Sequence, residues 1–304
     1  MIVRVVVAAS LALPTGSVAS AQSPLAVWNS GRAGEPVLTV RSLAPGFWVL
    51  RQSKLSNAEA PFIYLIAGST RALLVDTGAE PAAGTMLPLR ELVDSLLSAH
   101  AERARAPVVP LLVMHSHGHR DHKALDAAFR GRAQTVVVAP VADSLQAFLT
   151  LPRWPDAEGT IELGGRTITV LPTPGHEPAH VMYYDATTRT LLGGDMLYPG
   201  LLTVRDLSAF QASTRRLVRF AKDHPITAIL GAHVEMTRAP RIMYPLGTVA
   251  QSDEHALALP ASIIDTLAAA VARAGDFHSD DVHDDIILNR VPPPAAQAAR
   301  PRTP

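Results

Sequence analysis

The chain of 304 residues contains no cysteine. That absence excludes disulfides, thiolate zinc sites, iron–sulfur clusters and a cysteine nucleophile, so any metal must be held by histidine and carboxylate. Charge of one sign is missing too. The 27 Lys and Arg are matched by 27 Asp and Glu, which removes the electrostatic basis for nucleic-acid binding. Past the N-terminus the sequence has no uninterrupted apolar run approaching the roughly 20 residues that span a bilayer, so no stable membrane insertion is expected. Aromatic residues make up only 5%, but hydrophobic residues make up 48%, enough for a substantial core and too many for a disordered chain. The oligomeric state is not legible.

The two ends differ from the middle. Arg4, the apolar run Val5 to Leu13 and the helix-breaking Pro14 and Gly16 lead to Ala19-Ser20-Ala21. This is the order of a secretory signal, cleaved after Ala21 to leave Gln22 at the mature terminus, and it implies a periplasmic or secreted protein. Residues 291–304 are rich in Pro, Ala and Arg and are expected to be a disordered tail.

Between them, β-like runs alternate with helical patterns. Val37–Val40, Phe47–Leu50, Phe62–Ala67 and Ala72–Asp76 read as strands. Met86 to Ala99 reads as a helix, with Leu89, Leu92, Val93, Leu96 and Leu97 on one face. Val108–Met114 is a strand ending at His115, Asp121 to Arg130 reads as a helix, Thr135–Ala139 as a strand and Val141–Leu149 as a helix. Strands follow at Thr160–Leu163, Thr167–Leu171, Val181–Tyr184, Thr190–Leu192 and Ile226–Leu230, with helices over Asp206 to Asp223 and Ala261 to Ala274. Such a mixture suits layered sheets with helices outside. No stretch within 25–290 reads as a linker, so residues 22–290 are expected to form a single domain.

The 12 histidines are not evenly spread. His115, His117, His119 and His122 fall within eight residues that also contain Asp121, just past a strand. Imidazole and carboxylate at this density suit zinc and related divalent ions. Metal-compatible residues recur at later strand ends: His176 in Pro174-Gly175-His176, Asp195 in Gly193-Gly194-Asp195 and His233 in Gly231-Ala232-His233. Each alone reads as a turn or a surface residue. Together with the cluster they supply seven ligands, enough for two metal sites.

These residues, in this order, resemble the metallo-β-lactamase superfamily of metallohydrolases over roughly residues 45–235. Leu74-Val75-Asp76-Thr77-Gly78 is similar to its first motif, His117-x-His119-x-Asp121-His122 to its second, Thr173-Pro174-Gly175-His176 to its third, Gly194-Asp195 to its fourth and Gly231-Ala232-His233 to its fifth. The resemblance implies an α/β (α+β) fold, a four-layer αββα sandwich. It implies that His117, His119 and His176 bind one metal, that Asp121, His122 and His233 bind a second, and that Asp195 bridges them. Asp76 would stand behind the ligands and orient one of them. His115 lies outside the motif frame and is read as a supporting or packing residue. His180 is expected to be structural, and His100, His224, His255, His278 and His283 to lie on the surface. Tyr198 is a candidate hydrogen-bond donor to substrate, and Arg153 and Trp154 are candidates for the mouth of the site.

The chemistry so implied is that of a dinuclear zinc hydrolase whose metal-bridging hydroxide attacks a carboxylic ester, lactone, thioester or amide of a small-molecule substrate, with Asp121 as the catalytic residue that orients the nucleophile and handles its proton. Absence of cysteine excludes the β-lactamases with a Cys ligand, and Asp195 disfavours the remaining ones, aligning the chain with glyoxalase II-like and lactonase-like branches. About 70 residues follow His233 without a basic cluster suited to glutathione. Two alternatives stay open: β-lactamase activity on the same fold, and a persulfide-dioxygenase-like oxidoreductase holding a single iron in place of zinc.

Overall fold

The computed structural model describes residues 7–8, 28, 30–273 and 280–291. Apart from Val7 and Ala8, the expected signal segment 1–21 lies outside the described residues, as does the expected tail beyond residue 291.

The first sheet has seven strands in sequence order: β1 (Val7–Ala8), β2 (Leu38–Ala44), β3 (Phe47–Gln52), β4 (Phe62–Ala67), β5 (Ala72–Val75), β6 (Leu111–Met114) and β7 (Thr135–Val137). Strands β2 to β5 pair antiparallel, and β5, β6 and β7 pair parallel. Helix α1 (Leu89–Ala104) packs on its outer face; the short α2 (Arg120–Lys123) and α3 (Ala142–Phe148) flank β7 in the chain. The second sheet is built from β8 (Gly159–Glu162), β9 (Thr167–Pro172), β10 (Val181–Asp185), β11 (Thr190–Gly194), β13 (Ala228–Gly231) and β14 (Ala258–Leu259), in the order β14-β13-β11-β10-β9-β8. The strand β12 (Leu201–Val204) leaves this sheet and pairs parallel with β16 (Ile287–Arg290), which also pairs with β15 (Asp281–Val282). Helices α4 (Leu207–Asp223) and α5 (Ile263–Arg273) cover the outer face of the second sheet.

Strand β4 shows why the layers form. All six of its residues are buried, so it reads as a continuous apolar run rather than an alternation. Phe62, Tyr64 and Ile66 face the second sheet and share a core with Ile168, Val170, Val181, Tyr183 and Leu192. Ile63 and Leu65 point the other way, towards Leu89, Leu92, Val93, Leu96 and Leu97 of α1. On the far side, Met182, Tyr184, Leu191 and Ile229 meet Phe210, Leu217 and Phe220 of α4 and Ile263, Ile264 and Leu267 of α5. The architecture is therefore the four-layer αββα sandwich. No helix among the described residues is long and apolar enough to cross a membrane.

Three local features depart from the sequence reading. The first helix begins at Leu89 rather than Met86, directly after Pro88, and Met86 is 67% exposed. The helix expected over Asp121 to Arg130 is two short pieces, α2 and a 3-10 turn at Asp126–Ala128. The carbonyl of His122, which a continuing helix would use internally, accepts the N–H of Thr77 at 2.7 Å, and Ala124 N–H donates to Gly78 O at 3.0 Å. Tertiary bonds to the turn after β5 thus replace helical ones. Strands β12, β14 and β16 were not legible, because each depends on a partner distant in sequence, and the two-residue β15 pairs only with β16.

Candidate metal centre

The parallel pairs β5–β6 and β11–β13 send the C-terminal ends of their strands to one edge of the sandwich, the place where open α/β sheets present functional residues. Asp76 follows β5. His115 to His119 follow β6. His176 lies in the β9–β10 connection, Asp195 directly after β11 and His233 just past β13. The two halves are pinned there by backbone bonds: Val181 N–H to Ser116 O at 2.7 Å and Phe62 N–H to Ala232 O at 2.8 Å.

Seven of the sequence-selected residues converge into two four-residue clusters. In the first, His119 Nδ1 lies 2.9 Å from His117 Nε2 and 3.1 Å from His176 Nε2. Asp195 Oδ2 lies 3.7 Å from His117 Nε2 and 3.5 Å from His176 Nε2. In the second, His122 Nε2 is 2.9 Å from Asp121 Oδ2. The separations His122–Asp195, His233–Asp121, His233–Asp195 and His233–His122 are all 3.4 Å, with Asp195 contributing Oδ1. A tetrahedral zinc with bonds of about 2.1 Å needs ligand atoms about 3.4 Å apart. The donor set fits such an ion on a further count: Asp195 Oδ1 is buried and accepts no hydrogen bond, a position costly for a carboxylate oxygen unless a cation meets it.

Each ring is held so that the correct nitrogen faces inward. Asp76 Oδ2 takes His122 Nδ1 at 2.9 Å and also accepts from Ser116 Oγ, while Asp76 Oδ1 accepts Ser116 N–H at 2.7 Å. This is the orienting role expected of Asp76, and it is achieved with a left-handed backbone at φ +68°, a conformation that Asp tolerates better than most residues. His176 Nδ1 donates to Thr203 O at 3.0 Å, and His233 Nδ1 to Glu59 O at 3.1 Å. His119 is reversed: its Nε2 meets Glu177 Oε1 at 3.0 Å, and Nδ1 faces the cluster.

The electrostatics of the two clusters differ. Burial, reinforced by His122, holds the pKa of His117 well below its ordinary value, and burial also lowers that of His176, so these rings are neutral donors. Burial also opposes charge on His122 and His233, but Asp195 chiefly, with Asp121 and, for His122, Asp76, carries both well above the usual value. Burial works to raise Asp121 and Asp195 as well; the surrounding histidines outweigh it and hold both carboxyls well below the usual range. A metal needs its histidine ligands neutral, so an ion held here would take the place of the protons that Asp195 and Asp121 favour on His122 and His233. His117 and His122 are fully buried, whereas the side chains of His119 and Asp121 are 30% and 23% exposed, so the clusters open to solvent on that side.

His115 joins neither cluster. Its Nε2 pairs with Asp126 Oδ1 at 2.7 Å, and Asp126 in turn accepts from Thr77 and Arg130. It therefore supports the turn beneath the ligands. His180 is fully buried and bonded at both nitrogens, as a structural residue should be. Tyr198, the candidate donor to substrate, packs its ring 5.5 Å from that of His233. It is 5% exposed, and its hydroxyl donates to Leu201 O at 2.7 Å, beside Glu235 Oε2 at 3.2 Å. Trp154 Nε1 donates to Pro178 O at 3.2 Å, while Arg153 pairs with Asp156. His100, His224, His255 and His283 are half-buried rather than fully exposed; His278 lies outside the described residues. Glu177, Ser116 and Asp126 were missed by sequence reasoning. Only their neighbours in the motifs could have pointed to them.

Two glycines make the approach possible. Gly194 has φ +52°, and a Cβ there would stand 2.5 Å from His180 Nε2. Gly175 has φ +140°, and a Cβ would stand 2.5 Å from Phe210 Cα. Neither position accepts a side chain without displacing its neighbour.

Comparison with known proteins agrees with this geometry. The profile of the metallo-beta-lactamase superfamily matches residues 57–233, more than half of the chain. The chain is 23% identical over 239 residues to the acyl-coenzyme A thioesterase MBLAC2 of Bos taurus, covering 66% of this chain and 83% of that protein. It is 28% identical over 230 residues to the MBLAC2 of Gallus gallus, covering 64% and 80%. Among solved structures, TMB-1 superposes with a TM-score of 0.51 at 13% identity, covering 80% of this chain and 100% of that one, a likeness of fold. The chain belongs to the metallo-beta-lactamase superfamily.

Proposed function

We propose that the protein is an exported, dinuclear zinc-dependent hydrolase of an activated acyl bond, with a thioester as the first candidate among ester, lactone, thioester and amide. The observation that carries this reading is the division of Asp195 between two clusters, Oδ2 facing His117 and His176 and Oδ1 facing His122 and His233. His117, His119 and His176 would hold one ion, Asp121, His122 and His233 the other, and Asp195 both. When bound, such a pair lowers the pKa of water towards neutrality and polarises a carbonyl oxygen.

The chain's own residues do the rest. Asp121 is ionised and partly exposed on the open side, where it orients the attacking water and accepts its proton. Asp76 and Ser116 fix His122, and His180 fixes the backbone of Asp195. The name of the MBLAC2 relatives supports a thioester as substrate. The order of residues in Met1 to Ala21 supports export.

The test is elemental analysis of the purified mature protein together with rates on an acyl-coenzyme A thioester, a lactone and a cephalosporin. Two zinc per chain and turnover of the thioester are expected. One iron per chain with no hydrolysis of any of the three would overturn the reading. N-terminal sequencing tests export, with Gln22 expected as the first residue.

A further inference from the structure

We propose that Glu177 is a positioning residue that makes His119 bind metal through Nδ1 and so governs retention of the ion in the first cluster. This rests on the dinuclear reading above. The observation is a reversal. His122, His176 and His233 all turn Nδ1 to an oxygen behind them and present Nε2 to the clusters. His119 alone of the five cluster histidines presents Nδ1, and its Nε2 is met by Glu177 Oε1 at 3.0 Å.

A neutral imidazole carries one proton, and the hydrogen bond made by one nitrogen decides which nitrogen is left as donor to a metal. The Glu177 carboxylate is an acceptor only. It keeps the proton on Nε2, leaves the lone pair on Nδ1, and raises the basicity of the ring. No other residue does this for His119: Nδ1 is occupied with His117 and His176. The other histidines are held inside the fold, His117 by Ser116 Oγ, His122 by Asp76, and His176 and His233 by the carbonyls of Thr203 and Glu59. His119 and Glu177 have side chains 30% and 28% exposed, so the orientation of the His119 ring rests on one hydrogen bond at the open side of the site. The residue is placed by the chain itself: it directly follows His176, and Pro178 O is tied to Trp154. Gly118 keeps this corner clear, since a Cβ there would lie 3.3 Å from Pro140 O and 4.0 Å from Glu177 Oε2.

The test uses the full mature chain, with zinc as the probe. Zinc affinity is measured by chelator competition in wild type, Glu177→Ala and Glu177→Gln, each also in a His233→Ala background that leaves only the first cluster intact. The histidine tautomers are read by 15N NMR of the metal-free protein. Glu177→Ala is expected to weaken the first ion by about 10–100-fold and leave the second unchanged. Glu177→Gln is expected to recover most of the affinity, because its amide oxygen accepts the same N–H. Wild-type His119 is expected to be protonated at Nε2. A Glu177→Ala chain that holds both ions as wild type does overturns the proposal while leaving the dinuclear reading intact, and so does a wild-type His119 protonated at Nδ1. A wild-type chain that takes up no ion overturns both.

Discussion

His180 Nε2 accepts the backbone N–H of Asp195 at 3.1 Å, and its Nδ1 is closed by Thr173 Oγ1 at 2.8 Å. Burial, with His176 adding to it, pushes the His180 pKa down to about 3, so the ring stays a neutral acceptor across the physiological range. His180→Leu leaves a buried N–H without a partner, a loss of about 1–3 kcal/mol. Denaturant unfolding checks this, and zinc stoichiometry should fall at both clusters because Asp195 serves each. A variant as stable and as metal-replete as wild type would contradict the assignment.

Asp121→Ala tests the chemistry. Its carboxylate touches His122 and His233 from the exposed side, and loss of a proton-handling group costs about 10²–10⁴-fold in turnover. The rate constant kcat should fall while the His117, His119 and His176 cluster keeps its ion. A metal-replete variant with unchanged kcat would sink the role.

Removal of metal should act on fold and activity together. Ions that bind the native state alone stabilise it by about 2.7 kcal/mol when present at 100 times Kd. Exhaustive treatment with phenanthroline is therefore expected to abolish turnover and lower Tm, with zinc restoring both. Activity that survives chelation would exclude the metal mechanism.

Lys54 provides a pH test away from the clusters. It is 5% exposed, and its ammonium donates to Ala58 O at 2.8 Å. Burial, aided by Arg51 and opposed by Glu254, Glu235 and Glu59, pushes its pKa down to about 8. An unfolded Lys keeps its proton to about pH 10.4. Between pH 8 and 10.4 the unfolded chain thus binds more protons, and the Lys54 contribution to stability rises with pH. Below pH 8 both states are protonated and the penalty is constant. Lys54→Met should accordingly stabilise the protein at pH 7, by about 1–3 kcal/mol, and the gain should fade by pH 10.4. Denaturant midpoints at pH 7, 9 and 10.4 decide it; an equal gain at all three values would refute the argument.

The motifs were legible because metal-binding chemistry restricts residue type and spacing. His117, His119, Asp121 and His122 are close in sequence because one turn after β6 delivers them, and Asp76, His176, Asp195 and His233 stand at strand ends marked by Gly and Pro. The sheet assignments followed from apolar runs such as Phe62–Ala67. What sequence could not show is pairing at a distance. Leu201 lies beside Ile287, and neither segment carries a pattern naming the other. The break after α2 is of the same kind, since His122 O is taken by Thr77 N–H. Glu177 was hidden for a simpler reason: an acidic residue after a histidine in a Pro-rich loop reads as solvated, and only the 3.0 Å contact with His119 gives it a role.

The residues of the two clusters are drawn from both sheets, His117 to His122 from the first and His176, Asp195 and His233 from the second. Bound ions would knot together segments more than a hundred residues apart in a chain that has no cysteine to do so. Cross-links that close long loops restrict the unfolded chain most. Zinc supply would then set the protein's lifetime as well as its rate, since a chain starved of metal would open more often and be digested by proteases that the loaded form resists.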